Sequence, residues 1–125
     1  MKKNVKFRVA ADGVEGFFGR AREHARKLDK GEKLEPEITI SFENPADMIR
    51  VLSVGRIRLL KMAKKHSLVV ELANCLNRDI RAVSRDIDLL ENFGLVHSKY
   101  VPNPGHGKRR VVETRAAKYQ LVANI

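Results

Sequence analysis

Tryptophan is absent from this 125-residue chain, and phenylalanine with tyrosine bring the aromatic content to only 6%. No strand pattern carries a run of aromatics on which bases could stack, so recognition of single strands, the possibility of RNA binding included, is disfavoured. Cysteine occurs once, as Cys75, so there is no intramolecular disulfide and a secreted disulfide scaffold is excluded. Set between Asn74 and Leu76 in a helical apolar pattern, Cys75 is expected to be a packed thiol in a reduced compartment. No apolar run approaches the ~18 residues needed to span a bilayer, and the start lacks a signal-peptide layout. The expectation is a cytoplasmic protein with no membrane partner. His24, His66, His97 and His106 show no paired ligand spacing, and there is no Gly-rich phosphate loop, Ser-His-Asp grouping or convincing carboxylate pair. Neither a metal nor a cofactor is expected, no catalytic residue is nominated, and an enzyme is the poorer class of hypothesis.

Positive charge is what the chain has in excess. Lys and Arg number 25 against 15 Asp and Glu, a net charge of +10, which points to a polyanionic partner. The excess is uneven. The first 45 residues hold ten Lys and Arg against eight Asp and Glu, whereas residues 46–125 hold fifteen against seven. With the proline-containing stretches LEPEI and FENPAD, this predicts two units, residues 1–44 and 45–125.

In the first unit, Val5, Phe7 and Val9 alternate with Lys6 and Arg8, and Ile38, Ile40 and Phe42 with Thr39 and Ser41. Both have the period of a half-buried strand. Between them Val14, Phe17, Phe18, Ala21, Ala25 and Leu28 recur at helical steps, with Gly31 placed as a stop. Phe17 and Phe18 are expected in the core, the competing reading being an anchor for a partner protein. Two strands and a helix bury too little surface alone. The sheet should be completed by a second copy, a partner protein or the rest of the chain.

The second unit opens on Asn44-Pro45, a helix cap followed by proline at the first helical position, with Asp47 suited to the first turn. Met48, Ile49 and Leu52 give that helix its apolar side. Ser53 caps a further pattern through Ile57, Leu59, Leu60 and Ala63, and the residues around Gly55 leave open whether there are one or two helices. Lys61, Lys64 and Lys65 gather at its end, either complementing the helix dipole or contacting phosphate.

Leu68, Leu72, Ala73 and Leu76 form a short helical pattern, followed by a longer one in which Ile80, Val83, Ile87 and Leu90 line one face. Asn77 between them tolerates positive φ, and Asp79 is a favourable cap. This is helix, turn, helix, with Ala73 at the crossing. Opposite the core stripe lie Arg81, Ser84, Arg85 and Asp88, while Arg78 precedes the helix. Arginine can grip phosphate or pair with guanine in the major groove; the competing reading is a solvated face with Asp88 paired to Arg81 or Arg85. After Phe93-Gly94, LVHSKYV leads to NPGHGKRR, and VVETRAAKYQLV returns. The prediction is a β-hairpin whose tip carries Lys108, Arg109 and Arg110, the wing of a winged helix suited to phosphate or minor-groove contact.

The stretch LANCLNRDIRAVSRDIDLLENFGLV, from Leu72 to Val96, resembles MarR-like winged helix-turn-helix transcriptional regulators. The whole layout, with LSVGRIRLL and the spacing of RD, V, RDI and GL, is similar to a prokaryotic group of short predicted regulators often paired with toxins as TumA-like antitoxins. The resemblance implies that Arg81, Ser84 and Arg85 enter the major groove and that Lys108, Arg109 and Arg110 belong to the wing. The reading as a whole is an α+β chain, a winged helix-turn-helix domain with an N-terminal strand-helix-strand element for dimerisation or partner binding. Its expected partners are double-stranded DNA, a second copy of itself and a cognate toxin. Repression by operator occupancy, with autoregulation as an antitoxin, is the expected role. The alternative is a toxin-neutralising interaction protein in which DNA binding is secondary.

Overall fold

A computed structural model describes residues 6–33 and 37–124. Val5 and Pro36, which the sequence reading assigns to the first strand and to the LEPEI segment, lie outside them. The chain forms two compact units: one runs to Arg50 and resumes at Ala116, and the other spans Val51–Arg115.

The first unit contains β1 (Lys6–Ala11), α1 (Gly13–Asp29), β2 (Glu37–Ser41), most of α2 (Pro45–Val51) and, from the far end of the chain, a strand at Tyr119–Ala123. That last strand is β5, since β3 and β4 lie between. The sheet has the order β2-β1-β5 with both pairings parallel. Central β1 is buried at Phe7, Val9, Ala10 and Ala11, as expected for a parallel strand flanked on both sides. Phe7 aligns with Ile38 and Tyr119, and the Phe7 and Tyr119 rings meet at 4.8 Å. Of the three ways to complete this sheet, the chain uses its own end.

Helix α1 departs from expectation. None of its residues is buried, and Phe17 and Phe18, expected in the core, are 56% and 52% exposed. Their rings pack edge to face on each other at 5.6 Å. Helical period dictates which residues share a face, not whether the chain covers that face. Its polar contacts include Arg20 with Asp12, the residue just before the helix, and His24, which lies 3.5 Å from Glu37 of β2, whose carboxylate also meets Arg8 at 3.1 Å.

The Asn44 side chain accepts from the Asp47 N–H at 3.0 Å, capping α2. Ser53 accepts from the Arg56 N–H and starts a separate helix, α3 (Val54–Ala63), so the segment is two helices. The second unit continues with α4 (Val69–Leu76), α5 (Ile80–Asn92), β3 (Val96–Pro102) and β4 (Lys108–Thr114). Leu59, Leu60, Leu72, Val83, Ile87, Leu90, Leu95 and Val112 form its core. Leu68 bridges Val111 and the Val112 N–H donates to the Ser67 carbonyl at 2.7 Å, which ties the hairpin to the start of α4. Three helices closed by a hairpin make this unit a winged helix-turn-helix, and the chain is α+β.

Three local expectations are corrected. Cys75 is exposed, because the buried stripe of α4 runs through Val69, Leu72 and Ala73 and position 75 turns away from it. Ile80, expected on the core face of α5, is 46% exposed; it stands in the first turn, before the stripe of Val83, Ile87 and Leu90. The segment VVETRAAKYQLV is not one returning strand. Its first part ends β4 at Thr114, the Arg115 guanidinium donates to the Gly94 carbonyl at 3.0 Å, and Tyr119 onward pairs with β1.

Candidate nucleic-acid interface

The turn between α4 and α5 depends on one residue. Asn77 has φ 52° and ψ 48°, the left-handed conformation that asparagine tolerates better than most non-glycine residues. There the Arg78 N–H reaches back to the Ala73 carbonyl at 3.0 Å, so the chain reverses within three residues. Asp79 then caps α5 by accepting from the Arg81 N–H at 2.7 Å.

Beyond this cap, Arg81, Ser84, Arg85 and Asp88 fall three or four residues apart on the side of α5 away from Val83 and Ile87. Arg81 and Arg85 are exposed and Ser84 is half-buried. Among the described residues no ion pair engages Arg81 or Arg85. The two acids beside them are occupied from elsewhere. Asp86 receives Arg56 Nε at 3.1 Å and Arg78 at 2.8 Å, which joins α3, the turn and α5. Arg56 also donates to the Val51 carbonyl at 3.2 Å. Asp88 is met by Arg110 of β4 at 2.7 Å.

The wing is a regular antiparallel pair in which Val96 faces Thr114 and Pro102 faces Lys108. Its tip closes through the Asn103 N–H on the Gly107 carbonyl and the His106 N–H on the Asn103 carbonyl, both at 2.8 Å. Gly105 and Gly107 sit at φ 80° and 78°, which a side chain would strain. The KRR cluster does not lie in this loop. It begins β4, and alternation along a strand separates its members. Lys108 and Arg109 are exposed. Arg110, on the side shared with buried Val112, has a side chain only 9% exposed.

Arg110 is the hub of a polar cluster. Its guanidinium meets Asp88, the Glu91 carboxylate at 3.4 Å, the Ser98 hydroxyl at 2.9 Å and the Ser84 carbonyl at 3.4 Å, and lies 5.7 Å from the centre of the Tyr100 ring. The Ser98 hydroxyl donates to Glu91 at 2.8 Å, and the Ser98 N–H donates to the same carboxylate at 2.7 Å. Burial works against ionisation of Glu91, but these two bonds and the Arg110 charge prevail and hold its carboxyl below the ordinary 4.5. Arg110 therefore locks the wing onto α5, and Arg78 braces the turn against Asp86. The sequence places both among the DNA-contacting residues, and in the structure both are engaged within the unit, whereas Arg81, Ser84, Arg85, Lys108 and Arg109 remain at or near the surface.

The second unit holds thirteen Lys and Arg against six Asp and Glu, so most of the excess charge of the chain sits on it. No group of three or more His, Cys, Asp or Glu able to hold a metal occurs among the described residues. No helix among them is long and apolar enough to cross a membrane.

No curated protein matches the chain. Among solved structures it is similar, at 19% identity and a TM-score of 0.44, to the homodimeric winged helix-turn-helix DNA-binding domain of a possible ArsR-family transcriptional regulator from Mycobacterium bovis. That alignment covers 57% of this chain and 63% of the domain, a little under two thirds of it. Residues 51–116, just over half of the chain and the whole of Val51–Arg115, match the family HVO_A0114, and the chain belongs to that family.

Proposed function

We propose that this protein is a homodimeric, sequence-specific double-stranded DNA-binding transcriptional regulator that represses by occupying its operator. One observation carries the reading: α5 presents Arg81 and Arg85 to solvent, with half-buried Ser84 between them, while the neighbouring acids, Asp86 and Asp88, are matched by arginines of the same unit. An arginine face with its acids neutralised from behind suits the electronegative major groove, where arginine pairs bidentately with guanine. Exposed Ile80, in the first turn of α5, adds an apolar group suited to a thymine methyl; it is the residue that periodicity had hidden in the core. Lys108 and Arg109 at the base of the wing tip contact phosphate or the minor groove. Arg78 and Arg110 act in this scheme as positioning residues.

Two copies present their α5 helices to half-sites about one helical turn apart, so the operator is pseudo-palindromic. The autoregulating antitoxin role rests on the resemblance of LSVGRIRLL and the RD-to-GL spacing to toxin-linked regulators, and a small toxin-like reading frame beside this one tests it. The direct test of the DNA face is Arg85→Ala. Each lost guanine contact costs ~1–3 kcal/mol of discrimination, so specific affinity falls tenfold or more with the unfolding midpoint unchanged. Unaltered operator binding by that variant places the reading face elsewhere.

A further inference from the structure

Helix α1 carries an apolar stripe that its own chain does not cover. Val14, Phe18, Ala21, Ala25 and Leu28 follow one another at steps of four, three, four and three residues, the spacing of a coiled-coil seam. Val14, Phe18 and Leu28 are each more than half exposed. The polar contacts of the helix lie on another side, through Arg20 to Asp12 and His24 to Glu37. Beside Phe17 and Phe18 an open groove of about 620 Å³, also lined by Val14 and Phe42, extends the apolar surface. Exposed apolar surface of this extent marks an interaction site.

We infer that α1 pairs antiparallel with α1 of a second copy and that this pair is the dimer interface. The inference rests on the homodimer proposed above and names its surface. The occupant follows from complementarity along the helix. An antiparallel alignment that sets Phe18 over Ala21 of the second copy also sets Val14 over Ala25, large against small at each of the four layers so formed, with Leu28 beyond their end. The same alignment places Glu15 opposite Arg22 of the second copy, and two-fold symmetry repeats that pair. Sliding by one heptad in one direction brings Arg22 against Arg22 and Glu15 against Asp29. Sliding in the other brings Glu15 against Glu15. A parallel alignment stacks Phe18 on Phe18 and alanine on alanine, leaving voids between bulges. One register alone satisfies both bulk and charge, and its partner is this same helix.

The test is sedimentation equilibrium on the whole chain, with circular dichroism as the control for folding. Phe18→Asp raises the dimer dissociation constant by on the order of a hundredfold, because it acts twice in a symmetric interface. Glu15→Arg and Arg22→Glu each weaken the dimer by about tenfold, and the double reversal returns it to within about threefold of wild type. A wild-type dimer indifferent to Phe18→Asp overturns this interface and leaves the homodimer reading standing. Weakening by both single reversals without rescue by the double overturns the antiparallel register. A monomeric wild type removes the homodimer as well, and leaves the stripe to a different protein partner.

Discussion

Replacing Arg110 with alanine separates its positioning role from direct DNA contact. The guanidinium is 9% exposed and meets Asp88, Glu91, the Ser98 hydroxyl and the Ser84 carbonyl. A hydrogen bond to a charged group contributes roughly 1.5–3 kcal/mol, but the two carboxylates differ in what they lose. Asp88 is 61% exposed and is re-solvated by water, so its pairing counts for well under ~1 kcal/mol. Glu91 keeps both bonds from Ser98 and loses only the charge beside it. The net cost is about 2 kcal/mol, from the lost charged bonds and from the guanidinium's approach, 5.7 Å, to the centre of the Tyr100 ring. For a chain of this size that lowers the unfolding midpoint by roughly 6–10 °C. Thermal unfolding followed by circular dichroism measures it, with Arg109→Ala alongside as the exposed neighbour. Arg109→Ala leaves the midpoint unchanged and makes DNA binding less salt-dependent. A double-mutant cycle of Arg110→Ala with Asp88→Ala gives a coupling of no more than about 1 kcal/mol. An unchanged midpoint for Arg110→Ala, with the same loss of DNA binding as Arg109→Ala, refutes the lock.

Glu91 sets a pH dependence of known sign: its folded carboxyl is held below 4.5, so its contribution to stability is complete above that value and is lost as pH falls through the lowered one. Urea midpoints fall as pH drops below 4.5, and Glu91→Gln flattens that fall; an equally steep fall in the variant contradicts the assignment. Asn77→Gly leaves stability within about 0.5 kcal/mol, whereas Asn77→Val costs about 1–2 kcal/mol through left-handed strain, as read by chemical denaturation. Asp86→Ala strands Arg56 and Arg78 without their shared anion and costs about 1–3 kcal/mol; retained stability would show that the two arginines need no carboxylate between them.

The helix-turn-helix was legible because its signals are local. Asn77, Asp79, Ser53 and Asn44 each act on backbone within three residues of themselves, and each takes the conformation its chemistry favours. The hairpin was legible up to Thr114. The departure of Tyr119–Ala123 to pair with β1 was not, since parallel pairing between the two ends of a chain leaves no mark in either segment. The α1 stripe was visible as a stripe, but periodicity carries no information about what covers it, so Phe17 and Phe18 were assigned to a core the chain does not build around them. Among the basic residues the limit was different. KRR reads as one cluster, yet strand alternation sends Arg110 inward and Arg109 outward, a split visible only once the register of β4 is known. The partner of Arg78 was also hidden, because Asp86, eight residues on, lies beyond the turn-and-a-bit over which helix faces are compared.

The central claim is that the α5 face and the wing read double-stranded DNA. Fluorescence anisotropy of the whole chain with its own upstream duplex, titrated across salt against a random duplex, tests it most directly. The account predicts a log-log slope of about −0.9 per phosphate neutralised, with Lys108 and Arg109 of two protomers alone contributing between −3 and −4, roughly. It also predicts upstream DNA bound about a thousandfold more tightly than random sequence. Binding that is insensitive to salt, or equal for the two duplexes, contradicts it.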